Sequence, residues 1–441
     1  MLLRSLLLRK KLQQRKDNSL VMNLLKKYTG WFVLGTLVFY LLSVAHLTPV
    51  LLPTLLAWGA NIAMWHTLAP SAKRQVTWLM MIGIATLLFA GSKGTWMTWQ
   101  QVFAVNLPML AMFVAVSFLD LTSSTDEKRP LPKGLSAIFN TALGVQVLGA
   151  VINLSVILVF ADRIKGAIKL TSEQQFILTR NFSAAAWWSP FFVATGVAII
   201  YAPGMQWQKT LIPGLAMGLV AIIFSTAEAF RRTKGDFNGY PIRKESLFIP
   251  MILASSVIFF HFIWPDISIL VLICLLAPSA TILLMRTPSR RKSLSHFVNH
   301  KLAQIGSQFA LFLAAGIFSN GISAIILSYP QFFNLDSFTF SPMLFSLTLA
   351  IMIIAGVIGI HPVVSIAIAS PMLLPLHPDP TQLGFLFLSA WAISAGSSGL
   401  TGLGLLMTSR YQIPTKTIVT NSVHYAIVMW LLCSLVNSFF L

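Results

Sequence analysis

The sequence predicts an all-α polytopic membrane protein of about eleven transmembrane helices plus two re-entrant hairpins, arranged as an inverted repeat. Three observations predict it. Of 441 residues, 56% are hydrophobic and only 10% charged, with a mean hydropathy of +0.78; a soluble domain carries about 25% charged residues. Apolar runs recur along the whole chain, and about 20 such residues cross a hydrocarbon core as a helix. The formal charge of +19 lies between those runs: of the 31 Lys and Arg, all but Lys93 and Lys209 fall in the N-terminal segment or in short loops. In a soluble chain such a charge would point to nucleic acid. Confined to loops it follows the positive-inside pattern, which puts these loops in the cytoplasm and implies no nucleic-acid partner.

Residues 1–29 form a basic cytoplasmic N-terminus, and 30–47 is an extra first transmembrane helix. A cleaved leader is not expected, because another span begins at once. Spans 49–68, 76–92 and 102–119 return the chain to the inside at Asp126-Glu127-Lys128-Arg129. The stretch 135–160 then has to enter and leave by the same face. A single crossing would strand the basic loops 161–180 and 231–246 outside. Its middle, Gly149 to Ser155, supplies small and polar residues for a hairpin tip. Backbone that turns inside a membrane is tolerated where protein or a wet cavity covers it. The next run, 176–202, is a broken helix: Ser189-Pro190 and Thr195-Gly196 interrupt it, and Pro removes a backbone donor. Span 210–230 closes the first repeat, 49–230.

The second repeat, 247–441, runs the other way. Spans 247–264 and 265–284 go out and back, the basic loop 285–302 is inside, and 303–327 goes out. The stretch 341–375 is the second hairpin, with Ala355 to Pro362 at its tip. The run 383–408 is the second broken helix, carrying SAGSSGLTG at 394–402, and 418–440 ends outside. A shift of 206 residues sets Ser183-Ala184 on Ser389-Ala390, Ala186 on Ala392, Thr195-Gly196 on Thr401-Gly402 and Val151-Ile152 on Val357-Ile358. Inverted repeats with discontinuous helices build many secondary transporters, whose sites lie at the breaks.

With this order of elements, residues 49–441 resemble the ion transporter superfamily, whose best-known branch is the divalent anion:sodium symporters. Those symporters carry Ser-Asn-Thr at both hairpin tips; here the tips hold Asn153-Leu154-Ser155 and Gly359-Ile360-His361-Pro362. The resemblance implies an inverted-repeat transporter fold, a homodimer and Na⁺ as a candidate coupling ion.

A broken helix exposes N–H groups and partial positive charge at one new end and carbonyls at the other. The first suits an anion and the second a cation. The candidate substrate and ion ligands are therefore Asn153, Ser155, Ser189, Thr195 and Gly196 from the first repeat. Their mates are His361, Ser394, Gly396, Ser397, Ser398, Gly399 and Thr401 from the second. His361 is also a candidate for proton coupling. Gly214 and Gly218 read as helix-packing residues.

No Lys or Arg falls in the interior of a predicted span, and Glu228, about one turn from the cytoplasmic end, is the sole acid there, expected to pair with Arg231 or Arg232. Such a charge-poor interior argues against a carboxylate-based antiporter. No catalytic set or metal-ligand spacing is present, Cys274 and Cys433 form no framework, and no cofactor is expected. The reading is a secondary transporter rather than an enzyme. It would move a small anionic solute across a bacterial inner membrane by alternating access, coupled to Na⁺ or H⁺, with the N-terminus cytoplasmic and membrane lipid around it. The alternatives are a flippase for lipid or polymer precursors and a polytopic membrane enzyme.

Overall fold

A computed structural model describes residues 28–122, 130–152, 154–165, 169–241, 248–285, 289–332 and 339–440. The basic N-terminal segment, Lys128-Arg129, the hairpin-tip Asn153, Arg243-Lys244 and Arg286 lie outside the described residues. Within the described residues the α-helices follow in this order. They are α1 (Tyr28–Val44), α2 (Leu51–Met64), α3 (Pro70–Ser92), α4 (Trp99–Phe103), α5 (Leu107–Ser117), α6 (Leu135–Ile152), α7 (Ser155–Ile164), α8 (Ser172–Ala184), α9 (Val193–Tyr201) and α10 (Trp207–Thr233). Then come α11 (Phe248–Ile263), α12 (Ile269–Leu284), α13 (Arg290–His296), α14 (Gly306–Ser328), α15 (Pro342–Val357), α16 (Pro362–Leu373), α17 (Pro380–Ser397), α18 (Gly402–Tyr411) and α19 (Thr415–Phe440). The chain is an all-helical polytopic membrane protein.

Short polar signals start the helices. Thr171 and Gln174 make a reciprocal capping box on α8, Asp379 accepts from the Thr381 and Gln382 amides at the start of α17, and Ser341 caps α15. Six helical stretches are long and apolar enough to cross a membrane: Pro70–Ser92, Trp99–Thr122, Trp207–Thr233, Gly306–Ser328, Pro380–Tyr411 and Thr415–Phe439. Six further apolar helices have 10–17 residues. Several runs read as full spans are therefore shorter helices. The 16 residues of α12 rise about 24 Å against a hydrocarbon core of about 30 Å. Pro49, just before α2, and Pro70, at the start of α3, help to divide this apolar region into separate helices.

The helices sort into two bundles. Helices α2 to α5 pack with α12 and α14, and α11 packs on α12. Helices α6 to α10 pack with α15 to α19. The bundles meet mainly where α14 lies on α16 and α5 on α9. Helices α3 and α14 approach so closely that a Cβ on Gly83 would lie 2.8 Å from the Phe318 Cα. Each stretch read as a hairpin holds a pair of packed helices, α6–α7 and α15–α16. The base of the first is clipped to the segment after α10: the Gly239 amide donates to the Pro132 carbonyl at 2.9 Å and Lys133 pairs with Asp236 at 3.3 Å.

Candidate functional site

The break between α8 and α9 is built by one serine and one threonine. Helix α8 ends, a single 3₁₀ turn covers Ala185–Trp187, and regular structure resumes at Val193. The buried Ser189 hydroxyl donates to the Ala150 carbonyl at 2.6 Å, in the last turn of α6, and accepts from the Phe191 amide at 3.2 Å. Thr195 then donates back across the break to the Ser189 carbonyl at 2.6 Å. Two backbone groups of the break, the Phe191 amide and the Ser189 carbonyl, are thus satisfied from within the protein, as hydrocarbon requires. The N-terminus of α9 is different. Its cap position is Phe192, with no side-chain cap, and Val193 and Ala194 beside it are buried.

The break between α17 and α18 repeats the scheme. Ser398 donates to the Val357 carbonyl at 3.2 Å, in the last turn of α15, and accepts from the Leu400 amide at 3.2 Å. Thr401 donates to the Ala395 and Ser398 carbonyls at 2.9 and 3.2 Å and accepts from the Gly404 amide, capping α18. Only glycine fits at 404, because a Cβ there would collide with the Ser398 carbonyl. The partner of Ser189 is therefore Ser398, 209 residues on, while Thr195 and Thr401 keep the 206-residue shift. The first break holds three more residues between its Ser and its Thr.

The two breaks share a wall. Trp187 donates from Nε1 to Ser389 on α17 at 3.1 Å, and Gly396 packs where a Cβ would lie 2.9 Å from the Thr179 carbonyl of α8. Thr179 thus meets Gly396 and the later Trp187 meets the earlier Ser389, so α8 with its 3₁₀ turn runs antiparallel to α17. Nine residues separate Ser389 from Ser398, about 14 Å of helix. The breaks lie at two levels of one seam rather than face to face.

The other predicted ligands distribute around this seam. Ser397 ends α17 with a buried hydroxyl that has no hydrogen-bond partner among the described residues. Ser394 donates to Ala390 at 2.6 Å within its own helix and packs on Gly356 of the second hairpin. Gly399 packs on Thr415 and Gly196 on Met112, so both serve close approach. Ser155 turns away from the breaks and donates to Asp120 at 2.8 Å. His361 caps α16, with its Nδ1 accepting from the Val363 amide at 3.3 Å and its ring edge-on to Trp391 at 5.4 Å. Gln75 of α3 holds that tip, donating to the Gly359 carbonyl at 2.8 Å. Trp187 is fully buried, Gly214 packs on its carbonyl, and Trp188 packs on Gly218.

Sequence reasoning placed Arg180 in a cytoplasmic loop; it is instead fully buried in α8. It donates to Glu228 of α10 at 2.6 Å and to the Asn421 carbonyl of α19, between the rings of Phe176 and Tyr425. Glu228 also pairs with Arg232, as expected. The Gln174 capping signal could have shown that the helix begins before Arg180. Two further acids went unnoticed. Asp120 pairs with Lys301 at 3.6 Å, and Asp162 of α7 accepts from Arg410 at 2.7 Å and Tyr411 at 3.1 Å, tying the first hairpin to α18. Among the described residues no cluster of His, Cys, Asp and Glu could hold a metal ion.

No family model matches the chain, and no curated protein matches it. Among solved structures it is similar to the YdaH transporter of Alcanivorax borkumensis, whose crystal structure is described as revealing an unusual topology. The TM-score is 0.39 at 12% sequence identity, over 82% of this chain and 83% of that one.

Proposed function

We propose that the protein is a secondary transporter that moves a small anionic solute across a bacterial inner membrane by alternating access, driven by a Na⁺ or H⁺ gradient. The observation that carries this reading is the pair of broken helices, each stitched to its own helix hairpin by a Ser hydroxyl and closed across the break by a Thr hydroxyl. Interrupted helices in the membrane are costly unless neighbouring groups satisfy them, and transporters place substrate at such interruptions. The breaks divide the work. The uncapped N-terminus of α9 offers amides and the positive end of a helix dipole to an anion. The C-terminal end of α17 offers carbonyls and the unpartnered Ser397 hydroxyl to a cation.

The experiment is uptake by proteoliposomes, with inorganic anions and carboxylates supplied singly under an imposed Na⁺ or pH gradient. Accumulation of at least one anion is expected, with Thr195→Val and Ser397→Ala each lowering the rate about tenfold or more. No accumulation under either gradient would count against the reading. Lipid transfer between leaflets would favour a flippase, and turnover by detergent-solubilised protein would favour an enzyme.

A further inference from the structure

We infer that residues 290–304 form a docking surface for the headgroups of anionic phospholipids, on the face that carries the basic loops. The segment is one continuous helical run, with α13 passing into a π-turn at Phe297–Lys301 and a 3₁₀ turn at Leu302–Gln304 that leads into α14. Its apolar side is already used. Phe297, Val298 and Leu302 are buried, Phe297 packs on Phe118 with centroids 4.8 Å apart, and a Cβ on Gly30 of α1 would collide with the Val298 carbonyl. Its other side exposes Arg290, Arg291, Lys292, His296 and His300. Among the described residues none of the three strong cations pairs with an acid, and the sequence holds no Asp or Glu from Ile267 to Leu335.

The height of this cluster in the bilayer identifies the occupant. Arg290 donates to the Leu283 carbonyl at 3.5 Å, at the end of α12, where Ile282 and Leu283 are 40% and 72% exposed. The guanidinium thus stands where a lipid-facing aliphatic surface stops, which is the level of lipid phosphates. Trp31, half exposed, donates to Asn299 at 3.1 Å, and Trp is a residue of that same interface. A basic cluster beside a transmembrane helix attracts anionic lipid through the surface potential. Lys301, on the inward side, reaches Asp120 at 3.6 Å, and Asp120 accepts from Ser155 beside the first hairpin tip. Lys301 thus stands two contacts from Ser155.

The test uses purified full-length protein in detergent and reads the thermal unfolding midpoint after adding phosphatidylglycerol, phosphatidylcholine or free glycerol phosphate. Phosphatidylglycerol should raise the midpoint of the wild type, and the other two should not. The triple variant Arg290→Gln, Arg291→Gln, Lys292→Gln should need about tenfold more phosphatidylglycerol for the same rise. A control lacking the same number of charges elsewhere, Lys133→Gln, Lys169→Gln, Lys234→Gln, should respond like wild type. An equal response of the triple variant, or an equal loss in the control, overturns the proposal, as does a response to glycerol phosphate alone. Should the triple variant fail to fold, the wild type decides: the rise must vanish at about 0.5 M salt, where surface charge is screened, and its persistence there overturns the proposal.

Discussion

Arg180 shows how a single side chain can organise a helix junction. Its guanidinium is fully buried and bound to Glu228 and to the Asn421 carbonyl, so three helices meet on one charge. Removing one member of a buried pair leaves the other uncompensated, at a cost of about 3–5 kcal/mol. Glu228→Gln should therefore lower the unfolding midpoint markedly, and Glu228→Gln with Arg180→Met should recover part of the loss; thermal melts of the single and double variants check this. Ser189→Ala strips the Ala150 carbonyl of its buried donor, an effect of about 1–3 kcal/mol. Ser279→Ala, where an exposed hydroxyl only bonds back to its own helix, should change stability by less than about 0.5 kcal/mol. At this scale the sequence was partly legible. Ser189, Thr195, Ser398 and Thr401 stand out because hydroxyls and Pro or Gly interrupt apolar runs. The close neighbours of Gly196 and Gly399, Met112 and Thr415, were not legible, because each sits on another helix whose packing the sequence does not show. Arg180 was misplaced because a charge near the edge of an apolar run reads as loop until its buried partner on another helix is known.

The helix pairs α6–α7 and α15–α16 lie in the stretches that charge parity singled out, and the broken helices were legible from Ser, Thr, Pro and Gly inside apolar runs. Their mutual placement was not, because it depends on contacts between residues about two hundred positions apart, such as Trp187 with Ser389. The separation of the breaks along the α8–α17 seam follows from those contacts alone. Asp162 makes a prediction at this scale, joining the first hairpin to α18. Burial alone would raise its pKa; the hydrogen bonds from Arg410, Lys165 and Tyr411 outweigh that and hold its carboxyl below the usual carboxylate range. A depressed folded value gives stability that is present above the unfolded pKa of about 3.9 and lost as pH falls through the folded one. Unfolding midpoints measured from about pH 6 down to about pH 3 should fall more steeply for wild type than for Asp162→Asn.

For the molecule as a whole, topology is the decisive test. Lys169 and His377 are exposed and follow the first and second hairpins, and both native cysteines are buried. Single cysteines at 169 and 377 should react with an impermeant thiol reagent from opposite sides of sealed vesicles; labelling from the same side would refute the inverted arrangement. The order of the helices was legible because hydropathy marks each apolar run. Their lengths were less so, since prolines divide runs that hydropathy joins. The division into two bundles was invisible, because it is a matter of which apolar faces touch. One detail of the breaks bears on how such a machine would run. The first spaces its Ser and Thr six residues apart and the second only three. The first break therefore has three more residues between those two hydroxyls, and the two repeats are not exact copies at this point. A transporter built this way would show different half-saturation for inward and outward flux, while its net flux stays zero until a gradient is applied.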